Sequence, residues 1–315
     1  MRLFLVMLII QLFSSTLVGA QMPVDKTPIV IKYLAMIPGR ADSTFVLSNP
    51  QAISTDIDGN LYLADTGQNR LLKLNSEGQL LDSVGGFGWE HQQFDRPLDV
   101  SAKTGLDVFV ADYNNERIER YDKDLNFIST LSADDVVDSA LKFGFPSGVD
   151  LSRHGELFVC DTENNRILKV NSFGQPLLSF GDFNWGDGEL QFPFKLYVSD
   201  QDVVYVADQE SNQIVVFDYY GNYVTRFGDS VLEQPGGLIG WHEFLLVADS
   251  GHDRVVVFNR NYELVFKWGS KGDKIGAFNN PADVTAWDDK IYVCDSNNNR
   301  VEIFQLHFDD LRKNQ

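Results

Sequence analysis

Short apolar or alternating stretches recur along the chain, divided by polar turns that often carry glycine. That period-two pattern with its punctuation predicts β-strands joined by hairpins. In the first complete unit, Ala52–Thr55 reads as a strand, Asp58-Gly59-Asn60 as a tight turn, and Leu61–Asp65, Arg70–Leu74 and residues 79–84 as three more strands. Glycine supplies a positive φ in the last turn of three units, at Gly78, Gly174 and Gly221. Leu125 and Tyr262 stand at that place in two others, which predicts a different turn type there.

The unit occurs six times. Its prolines are Pro50, Pro97, Pro146, Pro193, Pro235 and Pro281, spaced by 47, 49, 47, 42 and 46 residues. An aspartate closing the second strand follows each by 14 or 15 residues: Asp65, Asp112, Asp161, Asp208, Asp249 and Asp295. A period of 40 to 50 residues built from short strands predicts a propeller with one four-stranded blade per repeat. The fold class is therefore all-β, a six-bladed β-propeller of antiparallel blades, with repeats near 47–88, 94–132, 143–181, 190–228, 232–269 and 278–307. The sixth repeat has three convincing strands, the third over residues 301–304. The alternating segment 29–36 is expected to supply the fourth and close the ring, which removes an exposed edge. Residues 132–140, with Ser132 and Asp135 spaced as a capping box, predict a short helix between blades 2 and 3.

Ala64-Asp65-Thr66-Gly67-Gln68-Asn69-Arg70, Cys160-Asp161-Thr162-Glu163-Asn164-Asn165-Arg166 and Cys294-Asp295-Ser296-Asn297-Asn298-Asn299-Arg300 closely resemble the signature of NHL repeats. The resemblance runs over about residues 29–307 and implies the propeller fold. It leaves function open, because similar proteins include peptidyl-hydroxyglycine lyases, extracellular sensor domains, RNA-binding propellers and ubiquitin ligases. Five aspartates face an arginine across a tight turn: Asp65 with Arg70, Asp112 with Arg117, Asp161 with Arg166, Asp249 with Arg254, and Asp295 with Arg300. These are read as structural pairs held by charge-assisted hydrogen bonds. The fourth repeat has Gln213 in place of the arginine.

Arg2, the apolar residues 3–10 and Val18-Gly19-Ala20 read as a secretory signal over residues 1–20, leaving one domain over 21–315. The protein is expected to be exported, periplasmic or extracellular. No later segment has the 20 consecutive apolar residues of a membrane span. With Arg2 set aside, 25 Lys and Arg face 45 Asp and Glu. That charge repels phosphate backbones, so nucleic acid is not an expected partner.

Cys160 and Cys294 each replace an alanine before the repeated aspartate, in blades on opposite sides of the ring. They are expected to be buried free thiols. His154 and His242 fall in turns between first and second strands, His91 and His252 in loops on the other face, and His307 in the tail. That scatter gives no catalytic set, no metal ligands and no cofactor site. Two residues after each repeat proline stand Ala52, Asp99, Gly148, Lys195, Gly237 and Asp283. Asp99, Lys195 and Asp283, on alternate blades near the channel mouth, are candidate ligand-binding residues, joined by Tyr113, Asn114, Gln209, His252 and Asn297 from the adjoining loops. The function expected is non-enzymatic binding of a protein, peptide or glycan at the loop face. The alternative is a metal-dependent lyase resembling the peptidyl-hydroxyglycine lyases.

Overall fold

The computed structural model describes residues 29–38, 45–136, 138–184 and 186–308. The expected leader over residues 1–20 lies outside them.

Each repeat forms a four-stranded antiparallel sheet, its strands called a to d from the ring centre outward. Blade 1 is Ala52–Thr55, Leu61–Asp65, Arg70–Leu74 and Leu80–Gly85. Blade 2 is Pro97–Ser101, Asp107–Asp112, Arg117–Asp122 and Phe127–Ser132. Blade 3 is Pro146–Leu151, Leu157–Asp161, Arg166–Val170 and Pro176–Phe180. Blade 4 is Pro193–Val198, Val203–Asp208, Gln213–Asp218 and Tyr223–Phe227. Blade 5 is Pro235–Trp241, Phe244–Asp249, Arg254–Phe258 and Leu264–Trp268. Blade 6 takes Pro281–Trp287, Lys290–Asp295 and Arg300–Phe308 from the end of the chain, and Ile29–Ile37 as its outer strand. Ile29 pairs with Phe308 and Ile37 with Val301, so the N-terminal strand closes the ring as expected. Strand c of blade 6 extends to Phe308, which puts His307 in a strand opposite Val30 and not in a tail.

Neither face of a blade can be left in water, because strand b is apolar on both sides. Leu61–Asp65 and Leu157–Asp161 are buried throughout. Each blade accordingly shares an apolar cluster with its neighbour: Leu63 and Leu72 of blade 1 meet Tyr292 and Cys294 of blade 6. Across the ring, Phe158 and Ile167 of blade 3 meet Val206 and Phe217 of blade 4. Truncating such a side chain to alanine costs roughly 2–5 kcal/mol. Strand d faces solvent; Leu80–Gly85 is mostly exposed.

Two local expectations are corrected. Among the described residues of 132–140 there is no continuous helix but two short 3₁₀ turns, Ala133–Asp135 and Ser139–Leu141. Asp135 accepts the Ser132 amide as the capping box requires, and the Ser132 hydroxyl besides, but Val136 turns extended (φ −85°, ψ 116°). It buries its side chain among Val149, Leu157 and Val159, and that burial ends the helix. The turns at Leu125 and Tyr262 are of the same type as the glycine turns: φ is 59° and 62°, beside 83°, 78° and 83° at Gly78, Gly174 and Gly221. All five are wrapped around a side chain. Asn75, Asp122, Asn171, Asp218 and Asn259 each accept the amides two and four residues on. That Asx closure sets the left-handed residue whatever its side chain.

Candidate functional site at the channel

Strand a lines the channel, and a bulge aims its residues. In blades 2, 3, 4 and 6 the register shifts just after the proline, so that Asp99, Gly148, Lys195 and Asp283 stand opposite Ala111, Cys160, Ala207 and Cys294. An extra residue in one strand re-aims the side chain that follows. The three charged residues from alternate blades meet in the channel. Lys195 Nζ lies 2.5 Å from Asp99 Oδ1, 3.6 Å from Asp283 Oδ2, and donates to the Leu98 carbonyl at 2.7 Å. Asp99 also accepts the Val149 amide at 2.8 Å, and Asp283 the amides of Ile53 and Val284 at 3.0 and 2.8 Å.

All three are buried, Lys195 to 2% exposure. Burial, with Asp283 adding to it, pushes Asp99 up to about 7 against the pull of Lys195; burial also raises Asp283. Burial pulls Lys195 down, but the two carboxylates outweigh it and hold the ammonium above its usual range. One cation between two carboxylates leaves the cluster one charge short of neutral, and a proton shared by the acids restores the balance. The trio is a belt across the channel whose members answer one another. It is a floor more than a free binding surface.

Above the belt, on the face of the b–c loops, is a cup of about 280 Å³. Leu98, whose carbonyl holds Lys195, lines it. Its wall is aromatic: Phe192 and Phe194 stack at 6.3 Å, and Tyr113 lies against Phe145 at 5.3 Å. The Arg96 guanidinium sits 5.0 Å from the Tyr113 ring centre, within cation–π range. Gln209, Gln234 and Asn280 complete the rim. The side chains of Arg96, Gln209, Gln234 and Asn280 make no hydrogen bond or ion pair among the described residues.

A break in the repeat explains why Tyr113 and Gln209 are available. The residue after the repeated aspartate is Thr66, Thr162, Ser250 or Ser296 in four blades. Its hydroxyl donates to the proline carbonyl of the next blade, at Pro97, Pro193, Pro281 and Pro50, over 2.5 to 3.1 Å. Blades 2 and 4 put Tyr113 and Gln209 there, and both line the cup. Arg96, Phe192, Phe194, Gln234 and Asn280, which line the cup with them, flank repeat prolines. The sequence reading tracked the position two beyond each proline and passed over the positions on either side of it.

His252 does not join the cup. Its Nδ1 is 2.9 Å from Asp249 and its Nε2 3.3 Å from Glu233. It takes the place of Asn115, Asn164 and Asn298, whose amides bind the repeated aspartate of their own blades at 2.7 to 3.0 Å. Asn114 bonds to Asp95, and Asn297 approaches Asn279 at 3.4 Å. His91, His154 and His242 are apart from the channel, and the described residues hold no group of three His, Cys, Asp or Glu able to bind a metal ion. Cys160 and Cys294 are free and buried behind the belt, and burial raises both thiols well above their usual range.

The repeated pairs do more than hold hairpins. Arg70, Arg117, Arg166, Arg254 and Arg300 each place Nε 2.7 to 2.8 Å from the aspartate named with them. The aspartate also accepts an amide from the loop entering its blade, at Ser48, Asp95, Gly144, Glu233 and Asn279. The guanidinium reaches that loop's carbonyls, three of them for Arg117: Trp89, Glu90 and Gln93. In blade 4, Asp208 is held by Gln191, Phe192 and Ser211 without a cation.

The model of the NHL repeat matches residues 143–170 and 278–304. No curated protein matches the chain in sequence. Among solved structures, a Bacteroides thetaiotaomicron protein of unknown function superposes with a TM-score of 0.65 at 12% identity, over 89% of this chain and 76% of that one. A streptogramin B lyase gives 0.61 at 10% identity, over 89% and 98%. A catalytically inactive histidine-to-alanine virginiamycin B lyase from Staphylococcus aureus, with quinupristin, gives 0.59 at 12%, over 89% and 100%. At such identities the likeness is one of fold.

Proposed function

Taking as premise that the chain is a six-bladed β-propeller of NHL repeats, we propose that it is a non-enzymatic recognition module whose loop-face cup takes a peptide segment of a partner protein. One observation carries the reading. The side chains of Arg96, Gln209, Gln234 and Asn280, without hydrogen-bond or ion-pair partners among the described residues, converge on an aromatic-walled cup that Leu98, the carbonyl partner of Lys195, also lines. Amide side chains offer a donor and an acceptor each, which matches a peptide backbone. Phe192, Phe194 and Tyr113 offer apolar surface to a side chain. Arg96 gives a local attraction for a carboxylate on a protein whose net charge is −19. A glycan fits the same donors less well, because the cup supplies only one cation and no carboxylate of its own. Export through residues 1–20 belongs to the same proposal and is checked by sequencing the N-terminus of the protein recovered outside the cytoplasm.

Panning a random twelve-residue peptide display library against the purified chain tests the proposal. A selected peptide is expected to lose at least tenfold in affinity to Phe194→Ala and to Gln209→Ala. Binding that neither substitution moves refutes the cup. One stoichiometric metal ion together with cleavage of a peptide ending in hydroxyglycine would establish the lyase alternative in its place.

A further inference from the structure

A second cavity, of about 490 Å³, opens on the opposite face between blades 4 and 5. One wall is aromatic. Tyr197 and Tyr205 are cross-strand partners with rings 6.0 Å apart and 18° from parallel, and Tyr262 meets Tyr205 edge-on at 6.3 Å. Tyr262 is itself fixed by stacking on Phe227 at 4.5 Å. The other wall is polar: Asp200 and Gln201 from one a–b turn, Glu243 from the next, and Arg260 from the c–d turn of blade 5. None of these four side chains has a hydrogen-bond or ion-pair partner among the described residues.

Three departures from the repeat coincide here. In blades 1 to 3 the strand-b aromatic faces a cation on strand c, as Tyr62 with Lys73, Phe109 with Arg120, and Phe158 with Lys169. Lys73 crosses to the Lys123 carbonyl in the turn of blade 2, and Lys169 lies 3.6 Å from the Tyr219 ring centre in the turn of blade 4. The partner of Tyr205 is Val216, so no cation crosses to blade 5. The turn it would reach carries Tyr262 in the left-handed region, where three other blades have glycine. Gly240 is the third departure. A Cβ on it would lie 2.7 Å from Tyr197 Oη, so only glycine lets that ring lean onto blade 5.

We propose that this cleft binds a saccharide, one or two neutral pyranose rings at a time. A pyranose has an apolar C–H face and a rim of hydroxyls. The electron-rich faces and the edges of the three tyrosines suit the first. Asp200 and Glu243 accept from neighbouring hydroxyls, Arg260 donates, and Gln201 does both. Two carboxylates beside one guanidinium disfavour an anionic sugar. The volume is in the range of small-ligand sites. The site is on the face away from the cup and stands or falls separately from it.

The test is saturation-transfer NMR on the whole chain with five neutral disaccharides: maltose, cellobiose, lactose, mannobiose and chitobiose. The proposal expects transfer to the ring C–H protons of at least one. It also expects at least a tenfold loss of affinity in the double variant Arg260→Ser, Tyr262→Gly. That variant gives the turn of blade 5 the residues found in blade 1 as Ser76 and Gly78, so the backbone of the turn is kept, and a cooperative unfolding transition like that of the wild type confirms that the ring is intact. Phe194→Ala, on the other face, should leave saccharide binding unchanged. No transfer to any of the five overturns the proposal. So does an affinity that the double variant leaves as it was.

Discussion

Asn299 accepts a hydrogen bond from the backbone amide of Asn49 at 2.7 Å, across 250 positions of chain. It is the closing copy of an interblade bond that recurs from Asn69 to Arg96, Asn212 to Gln234, and Asp253 to Asn280. In each the acceptor sits at a left-handed residue ending a b–c turn, and the donor directly precedes a repeat proline. The ring is thus closed twice: at the outer edge by Ile29–Ile37 on strand c of blade 6, and at the loop face by this bond.

The closing bond can be weighed by two substitutions. Asn299→Gly removes the side chain but tolerates the φ of 53°, and should cost about 1 kcal/mol in denaturant unfolding. Asn299→Ala must also hold an alanine in the left-handed region, and should cost about 1 kcal/mol more. Equal losses for the two would mean that the bond, and not the left-handed turn, sets the stability of the seam.

Much of this architecture is legible in the sequence because it is repeated. Six prolines and six aspartates in register fix blades, strand order and the meeting of chain ends. The meeting of Asp99, Lys195 and Asp283 was legible for the same reason, since equal positions on a ring face one centre. What sequence reading missed lies in interactions that a residue type does not declare. Nothing about His252 distinguishes a ligand contact from a stand-in for Asn164, and only the carboxylate of Asp249 decides it. The turn at Tyr262 was misread because glycine was taken as its cause, whereas the side chain of Asn259 imposes the backbone. Phe192 and Phe194 flank a proline inside a regular pattern and read as ordinary strand residues until the channel is assembled.

Lys195 balances two buried acids, so its removal should be far more harmful than the removal of the whole cluster. Lys195→Met leaves Asp99 and Asp283 without their cation and should cost roughly 3–5 kcal/mol. Replacing all three, as Asp99→Asn, Lys195→Met and Asp283→Asn, should recover most of that loss, because no charge is then left buried alone. Unfolding by urea of the single and triple variants reads the difference. A triple variant no more stable than Lys195→Met would show that the belt acts through packing and not through charge.

The same belt predicts a pH dependence with a definite sign. Asp99 ordinarily titrates near 3.8 and in the folded ring is pushed up to about 7, first by burial and further by Asp283, against the opposing pull of Lys195. Between these two values the folded state holds more protons than the unfolded state. Stability contributed by this group is therefore full below about pH 4 and is lost as the pH rises toward 7. Asp122, Asp202 and Asp218 are shifted downward by hydrogen bonding and act with the opposite sign. The total stability of the wild type consequently does not isolate the belt, and the quantity to follow is the difference from Asp99→Asn. Asparagine keeps one acceptor oxygen, for Lys195 or for the Val149 amide but not both, a cost that does not vary with pH, and it leaves Asp283 with a cation of its own. The wild type should lose at least about 1 kcal/mol relative to Asp99→Asn between pH 4 and pH 7, measured by urea unfolding at fixed salt. A constant difference across that range would mean that Asp99 stays ionised in the ring and that the belt carries its extra negative charge unrelieved.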